Sequence, residues 1–561
     1  MRRAALLTAA CCWLVAAAFV QGPQEPGTQD RRRQDPRSQD PRPLGAGPRW
    51  GGAQPKGRNE AFATADGCAQ CHSASATATA MRSALGEDVS PHATWQATVM
   101  ANSFRDPYWR AQVAKECAED PQRSSEVQAL CLRCHAPMHH HSLRLGQKPS
   151  TTVAQAANDP LAQDGVSCTA CHQIRARGLG EETTWSGKGR IGRSRVIYGP
   201  YEQPDGAPML GVSRYAPQHG AHVQRSALCA TCHTLVTTHQ GERFPEQTPY
   251  LEWRNSVFSD EDGATATSRT CQQCHMPDIG ATRIARDPNG FDYLLQARAP
   301  YRAHAFVGGN AFLLDLLRAN RDELAVEASA AALQRMALAT RRQLTTATVD
   351  VAIGEITRAD DELQFSVRVR NKTGHKFPTG YPSRRAWLHV RVQNEAGVVF
   401  ESGGYRDDGR ILGVADPLDH EHVTRIETPY DVLVWELVAH DPDGEPTTSL
   451  TRMAKRGKDN RLLPEGWSRG GPHADETAPV GIGNDFDFTA GGDTVHVAFP
   501  YEADAPRATV SVWVHYQTIP PHWVEPLRDV DADECRDFVR MYDAADRAPE
   551  TIAAEQRSER L

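Results

Sequence analysis

Cys68-Ala-Gln-Cys71-His72 is the first of five segments in this 561-residue chain that share the pattern C-x-x-C-H. In this pattern the two cysteines form thioethers with a c-type haem, and the histidine binds the iron from one face. Five copies therefore predict five covalently attached haem c groups, each with its iron. The other four segments are Cys131-Leu-Arg-Cys134-His135, Cys168-Thr-Ala-Cys171-His172, Cys229-Ala-Thr-Cys232-His233 and Cys271-Gln-Gln-Cys274-His275.

Two other kinds of site use C-x-x-C, and both explain the sequence less well. Zinc knuckles pair to supply four ligands, but five knuckles do not pair off, and zinc needs no histidine after every second cysteine. Redox motifs of the thioredoxin kind do not come in fives. Outside the motifs and the apolar N-terminal segment, only Cys117 and Cys535 remain, either free or paired with each other.

The N-terminus predicts export from the cytoplasm. Residues 1–22 read as a signal peptide, with Arg2 and Arg3 before an apolar run that ends ahead of Gly22-Pro23. An uncleaved membrane anchor is the alternative, although the run is only marginally long enough to span a bilayer. Residues 23–58 are rich in Pro, Gln, Arg, Asp and Gly, and such a composition predicts a disordered linker. We expect an exported bacterial protein of the periplasm or cell surface, where c-type haem is attached.

The charge of the chain limits its partners. The formal net charge is −8, and the propionates of each haem would make the loaded protein more acidic. No basic stripe with interleaved aromatic residues is present, so nucleic acid is not expected as a partner. The expected partners are redox proteins that donate and accept electrons. The N-terminal segment is compatible with membrane or cell-surface association, and the sequence leaves the oligomeric state open.

The periodicity of the chain predicts an α+β multidomain fold. Residues 59–309 hold all five motifs in a mostly helical or irregular multihaem domain, and residues 310–345 have the apolar spacing of connecting helices, with Asn310 as an N-cap. In residues 346–525 the period changes to two, which is typical of an antiparallel β-sandwich. Residues 526–561 predict a C-terminal helix, at about 532–545, and a tail.

Longer strings accompany the motifs, and they carry a family resemblance. They include TWQATVMANSFRDPYWRA from Thr94, DGVSCTACHQI from Asp164, HAFVGGN from His304 and NKTGHKFPTGYPSRRAWL from Asn371. With them the chain resembles exported bacterial multihaem cytochromes related to the cytochrome c-554 type, over about residues 62–525. The resemblance implies a haem-rich helical domain followed by an immunoglobulin-like domain. Distant relatives oxidise hydroxylamine or reduce nitrite, but this chain has no motif with Lys for His and not the eight haems of the former.

Each motif supplies one axial ligand, and the opposite face of the iron decides between electron transfer and substrate binding. Seventeen histidines lie outside the motifs. For each, a hydrogen-bonded or surface histidine is the alternative to ligation. The candidate sixth ligands are His304, whose glycine-rich loop matches a string in related cytochromes, His222 (or His219) before the fourth motif, His375 in a β-domain turn, His239, and Met100, which the resemblance favours.

Three further sets of residues have two interpretations. His139, His140 and His141 either include a ligand or form a surface run. Met138 and Met276 are expected to pack on haem edges, while a buried core residue is the alternative for Met100. Tyr250, Glu252, His239 and Arg254 either manage protons beside an open haem or belong to a structural loop.

The expected function is electron transfer between redox partners by a pentahaem c-type cytochrome. The alternative is a multihaem oxidoreductase with one open haem that acts on a small nitrogen or sulfur compound. In a third interpretation the β-domain is a binding module that fixes the cytochrome to a cell-surface complex. No nucleotide site or Ser-His-Asp set is present, and the sequence assigns no catalytic residue.

Overall fold

The computed structural model of the chain describes residues 56–239, 241–359, 361–501 and 506–561. The predicted signal peptide and most of the predicted linker lie outside these residues. Within them, no helix combines the length and the apolar character that a membrane span requires.

Short helices and long loops form residues 56–309, which we call the motif domain. The longest helix of this domain is α3. Asp106 caps its N-terminus by accepting hydrogen bonds from the Tyr108 and Trp109 amides, and Pro107 occupies the first helical position. The helices are α1 (Ala65–His72), α2 (Pro91–Trp95), α3 (Pro107–Glu119), α4 (Ser124–His135), α5 (Pro137–Leu145), α6 (Val153–Ala156), α7 (Pro160–Gln163), α8 (Cys168–Cys171), α9 (Gly206–Ser213), α10 (Ser226–Ala230), α11 (Pro249–Arg254) and α12 (Cys271–His275).

Two small sheets interrupt the helices of the motif domain. Strands β1 (Val196–Gly199) and β2 (Ala216–His219) pair in parallel. Strands β3 (Leu235–His239) and β4 (Glu242–Gln247) form an antiparallel hairpin. The hairpin lies between the fourth and fifth motifs along the chain.

Two amphipathic helices follow the motif domain, α13 (Ala311–Ala319) and α14 (Ala330–Ala347). Ser329 caps α14 by accepting from the Ala332 amide, and the buried side chains of α14 recur every three or four residues along one face. This face packs into an apolar cluster with α13 and with the C-terminal helices.

The next part of the chain, the β-domain, contains two larger sheets. The first has the order β10-β14-β7-β5, with β6 on β7, and the second has the order β12-β11-β8-β15-β16, with β13 on β11 and β9 on β8. Most pairs are antiparallel, whereas β10 and β14 are parallel. The strands are β5 (Val349–Ile353), β6 (Thr357–Ala359), β7 (Glu362–Asn371), β8 (Arg385–Asn394), β9 (Gly397–Ser402), β10 (Arg425–Ile426), β11 (Val434–His440), β12 (Pro446–Thr447), β13 (Lys455–Asp459), β14 (Gly492–Pro500), β15 (Arg507–Gln517) and β16 (Glu550–Arg560).

Alternating side chains of both sheets share one core. In β7, Phe365 and Val367 point inward, and they belong to the same apolar cluster as Val390 of β8 and Val512 of β15. Helices therefore dominate the first part of the chain and antiparallel sheets the second, so the predicted α+β class is confirmed. The immunoglobulin-like connectivity stays a prediction.

The C-terminus contributes a strand as well as helices. Helices α15 (Ala474–Thr477), α16 (Pro521–Arg528) and α17 (Asp533–Ala544) precede β16, which pairs with β15 along its length. The sequence predicts a tail here, whereas the structure has a strand with an almost entirely polar period-two pattern, in which Ile552 alone is fully buried. Backbone pairing with β15 is what makes the segment a strand.

Glu116 of α3 links the motif domain to the β-domain through hydrogen bonds. Its carboxylate is 1% exposed and accepts hydrogen bonds from both the amide and the hydroxyl of Thr451, from the Leu450 amide and from the Ser449 hydroxyl. Nearby, the rings of Tyr108 and Phe538 lie 5.1 Å apart, so α17 packs on the same helix.

Cys117 and Cys535 are both free thiols. The Cys117 thiol contacts the carbonyl of Ser124, and the Cys535 thiol donates to the carbonyl of Ala111 at 3.4 Å. Of the two possibilities that the sequence left open, the structure has the unpaired one.

Candidate haem-binding sites

The C-x-x-C-H motifs coincide with short helices. We number the motifs 1 to 5 in chain order. Motif 1 ends α1, motif 2 ends α4, and motif 5 forms the whole of α12. Motif 3 begins α8, and motif 4 starts in the last turn of α10. Because residues three apart in a helix share a face, each helical pair of cysteines is directed to the same side, with the histidine next to it.

Four of the five motif histidines are held by their Nδ1 atoms. In each case Nδ1–H donates to a backbone carbonyl, which leaves the lone pair on Nε2, as in histidines that bind metals. The carbonyl groups belong to residues 26 to 212 positions away in the sequence, so the tertiary fold sets the ring orientation. The pairs are His72 with Ile284 at 3.0 Å, His135 with Ser103 at 3.0 Å, His172 with Tyr198 at 2.7 Å and His275 with Val307 at 2.6 Å.

All five motif histidines are neutral at pH 7. Desolvation by the surrounding protein lowers the pKa of each, to about 4 for His135 and His233. His233 is exposed to solvent, yet the protein groups around its ring desolvate it enough to lower its pKa. A neutral imidazole with a free Nε2 is the form that binds iron.

Cysteines from different motifs contact one another. A hydrogen bond to Cys168 of motif 3 raises the pKa of Cys68 in motif 1. The same kind of contact joins motif 4 to motif 5, where Cys271 raises the pKa of Cys229. Motif 4 has two further neighbours. A hydrogen bond to Cys134 of motif 2 raises the pKa of Cys232, and burial, followed by the electrostatic influence of Cys232, raises the pKa of Cys171 in motif 3 to about 12. The five motifs thus form one connected group, in which motif 4 neighbours motifs 2, 3 and 5.

His375 of the β-domain faces His275 of motif 5. Their ring centroids are 6.3 Å apart and their planes differ by 10°. Two imidazoles that bind opposite faces of one metal, with bonds of about 2 Å, have centroids about 6 Å apart. The Nδ1 of His375 donates to the Lys376 carbonyl at 2.8 Å. Both rings therefore keep Nε2 free, and their separation fits an iron between them.

His304 faces His172 of motif 3 in a similar way. The ring centroids are 6.2 Å apart, with an angle of 28° between the planes. Burial, followed by the proximity of His172, lowers the pKa of His304 to about 3, and its buried Nδ1 has no hydrogen-bond partner. The structure therefore brings two of the predicted sixth ligands to two of the motifs.

The other predicted ligands have more complex surroundings. His222 lies beside motif 3, but its Nε2 donates to the Ile174 carbonyl at 2.8 Å, so only Nδ1 is left for a metal. His239 accepts a hydrogen bond from Arg123 at 3.2 Å through Nδ1, and His219 is exposed on β2. Met100 is half-buried where its carbonyl accepts from the Val166 amide, just before motif 3.

The three histidines of α5, His139 to His141, have different surroundings. Both nitrogens of His139 are occupied, by Asp159 at 2.6 Å and Thr151 at 2.7 Å, so this histidine has no nitrogen for iron. Burial lowers the pKa of His140 to about 4 and that of His141 to about 3. Close to this helix, the thioether of Met138 accepts a hydrogen bond from Thr169 of α8, so Met138 packs on motif 3.

Buried donor atoms without a hydrogen-bond partner test whether the domain fits haem. The guanidinium of Arg105 is almost fully buried, and its Nε and Nη2 atoms have no hydrogen-bond partner. The Nε atoms of Arg254 and Arg384 and the hydroxyl of Tyr250 are also buried and unpartnered. Such groups are costly unless an anion pairs with them. The two propionates of a haem are anions of the required kind, so these residues fit the group that the motifs imply.

Sequence reasoning missed His92, and for Glu252 the structure favours the second of the two interpretations, a structural role. The Nε2 of His92 is buried without a partner, and its ring lies 6.0 Å from that of Trp95. Its position just ahead of the TWQATVM string was the available signal. Glu252, considered for proton handling, instead sits in a buried cluster of charges with Arg461, Asp459 and Lys376.

Comparison with known proteins gives one structural match. The chain is similar to a penta-haem cytochrome c552 from Thermochromatium tepidum, with a TM-score of 0.49 and 16% sequence identity over 89% of this chain and 99% of that chain. No family model matches the sequence, and no curated protein does. The identity and the superposition are both low, so the assignment of a cofactor depends on the geometry of the motifs themselves.

Proposed function

We propose that this protein is an exported pentahaem c-type cytochrome that transfers electrons between redox partner proteins outside the cytoplasm. The observation that carries the proposal is the presence of five C-x-x-C-H motifs in one domain, with cysteines of different motifs close together at Cys68–Cys168 and Cys229–Cys271. Haems attached at neighbouring cysteines would have their edges close together, and electron transfer between haems needs such short distances.

The residues around the motifs suit this role. Bound haem supplies an iron that alternates between two oxidation states, and its potential is set by axial ligands, burial and hydrogen bonds. The cysteines would attach it, and the neutral motif histidines, fixed through Nδ1, would bind one face of each iron. His304 and His375 would bind the second face at motifs 3 and 5. With histidine on both faces an iron has no open position and tends to a low potential.

Localisation and partners are parts of the same proposal. The apolar N-terminal segment after Arg2 and Arg3 supports export, and the net charge of −8 argues against nucleic acid. The electron donor and acceptor would be proteins that dock near exposed parts of the motifs. Cys274 of motif 5 is one such part, because its side chain is exposed. The β-domain would hold the motif domain, as an immunoglobulin-like module does in the family that the sequence resembles.

The haem count tests the proposal directly. Pyridine haemochrome analysis of the full-length protein, purified from a host that attaches c-type haem, should give five haems per chain. A count clearly below five would contradict it. As a control, Cys131→Ser with Cys134→Ser should remove one haem and leave the other four.

A second function has one observation in its favour. Among the residues that the structure describes, His72, His135 and His233 face no histidine ring in the way that His172 and His275 do. An iron at one of these motifs would then bind another kind of ligand or keep an open position. An open haem would suit an oxidoreductase for a small nitrogen or sulfur compound. Electron paramagnetic resonance of the oxidised protein decides between the two, because entirely low-spin iron would exclude this second function.

A further inference from the structure

The peptide group that follows His375 is held from two sides. The His375 carbonyl accepts hydrogen bonds from the Asn371 side chain at 2.8 Å and from the Thr373 hydroxyl at 2.7 Å, both in the β-domain. The amide on the other side, that of Lys376, donates to the carboxylate of Glu252 at 3.0 Å. Glu252 belongs to α11 of the motif domain, so both domains form hydrogen bonds to the same peptide group.

The same peptide segment also fixes the imidazole ring of His375. The Lys376 carbonyl accepts from the Nδ1 of His375 at 2.8 Å, so the position of residue 376 determines the orientation of the ring. Glu252 also accepts from the Thr379 hydroxyl at 2.6 Å and so holds the loop at a second point. At Gly374 a side chain would come within 3.1 Å of Trp253, the neighbour of Glu252. The loop is therefore closely packed on α11.

Glu252 is itself held in place by buried charges. Its side chain is fully buried, and its Oε1 accepts from Arg461 at 3.1 Å and from Thr248 at 3.2 Å. Arg461 also pairs with Asp459, which pairs with Lys376 at 2.6 Å. The cluster has two anions, Glu252 and Asp459, and three cations, because Arg456 also pairs with Asp459 at 3.4 Å. A buried cluster of this kind is costly to break, so the carboxylate has one well-defined position.

We propose that Glu252 is a positioning residue that holds His375 at the distance and orientation needed to bind the iron at motif 5. This inference rests on the proposed function. Glu252 does not touch the iron; it acts through the Lys376 peptide and the Thr379 hydroxyl. It makes the ligation of one haem dependent on the contact between the two domains.

The test compares Glu252→Gln with His375→Ala and with a matched control. Glu182→Gln makes the same substitution at an exposed side chain that pairs with Arg243 on the surface, and it should leave the spectrum unchanged. Glu252→Gln should keep five haems but show a high-spin ferric fraction between zero and the one haem in five expected for His375→Ala. Its motif-5 haem should also have a higher potential, because a weakly held ligand and a lost anion both disfavour the ferric state. Added imidazole should restore the low-spin signal.

The milder variant Thr379→Val removes one of the two bonds from the loop to Glu252 and keeps every charge. It should give a smaller high-spin fraction than Glu252→Gln, and it decides the question if Glu252→Gln does not fold. A folded variant with a lower unfolding midpoint but unchanged spectrum and potentials would overturn the inference. A wild-type protein with fewer than five haems would instead overturn the proposed function, and so the two failures are distinguishable.

Discussion

The imidazole rings of His275 and His375 lie 6.3 Å apart and within 10° of parallel, although one ends the last C-x-x-C-H motif and the other lies in a loop of the β-domain. Each ring donates Nδ1–H to a backbone carbonyl, and each keeps its Nε2 free. The second domain would thus complete a cofactor site whose first half is in the motif domain.

His375→Ala is therefore expected to convert one haem in five from low spin to high spin. The physical reason is the loss of the sixth ligand from one iron, while the other irons keep theirs. Electron paramagnetic resonance of the oxidised protein measures the fraction. His219→Ala, at an exposed position on β2, is the control and should leave the spectrum unchanged. An unchanged spectrum for His375→Ala would show that this histidine has a structural role only.

His304→Ala should have the same effect at motif 3, since His304 faces His172 at 6.2 Å. The two substitutions concern different motifs, so the double variant should show a high-spin fraction near two haems in five. A double variant no different from either single variant would mean that both histidines serve one iron, and the assignment to separate motifs would then be wrong.

Glu116→Gln is expected to weaken the joint between the two domains. A neutral amide accepts hydrogen bonds less strongly than a carboxylate and places an NH₂ group against donors, so we expect the free energy of unfolding to fall by about 2–3 kcal/mol. Denaturant titration measures the change. Glu126→Gln is the control, because Glu126 is 66% exposed and pairs with Arg123 on the surface. Equal effects of the two substitutions would contradict a special role for Glu116.

The stability of the β-domain should fall as the pH rises, in part because of Asp493. Burial, and then the charge of Asp485 among other contributions, raises the pKa of Asp493 from 3.8 to about 7. Between these values the folded protein keeps a proton that the unfolded chain has lost, so this group stabilises the fold fully below pH 4 and no longer does so above pH 7. Its contribution falls by about 1.4 kcal/mol per pH unit in that window.

Asp493→Asn should remove this contribution and make the free energy of unfolding less dependent on pH between 4 and 7. Urea titrations at several pH values provide the measurement. The control is Asp487→Asn, at a half-exposed carboxylate that pairs with His496. If the wild type and Asp493→Asn have parallel pH profiles, the carboxyl group of Asp493 is ionised in the folded protein.

The sequence predicted the features that local patterns encode. The amphipathic helices α13 and α14 and strands such as β7 follow from residue spacing alone, because each has one apolar face. The turn around His375 made this residue a candidate ligand in the sequence, with a hydrogen-bonded turn as the alternative. Which motif it faces depends on the packing of two domains and could not be predicted. The Nε2 of His222 is occupied by the Ile174 carbonyl. No residue pattern marks such a backbone partner.

The strand β16 and the Glu252 cluster escaped prediction for related reasons. The strand has an almost entirely polar pattern, and its stability comes from pairing with β15. The charges of Glu252, Arg461, Asp459 and Lys376 come from distant segments, and in the sequence each looks like an ordinary surface residue. Long-range neutralisation is what allows them to be buried.

The contacts among the cysteines also have a consequence for robustness. Treated as a network, the five motifs are linked as 1–3, 3–4, 4–2 and 4–5. Deleting motif 1, 2 or 5 removes one end and leaves the rest linked. Deleting motif 3 isolates motif 1, whereas deleting motif 4 splits the set into three separate pieces, so the loss of Cys229 and Cys232 divides the set most. Loss of motif 4 alone should therefore impair electron transfer more than loss of motifs 1 and 2 together.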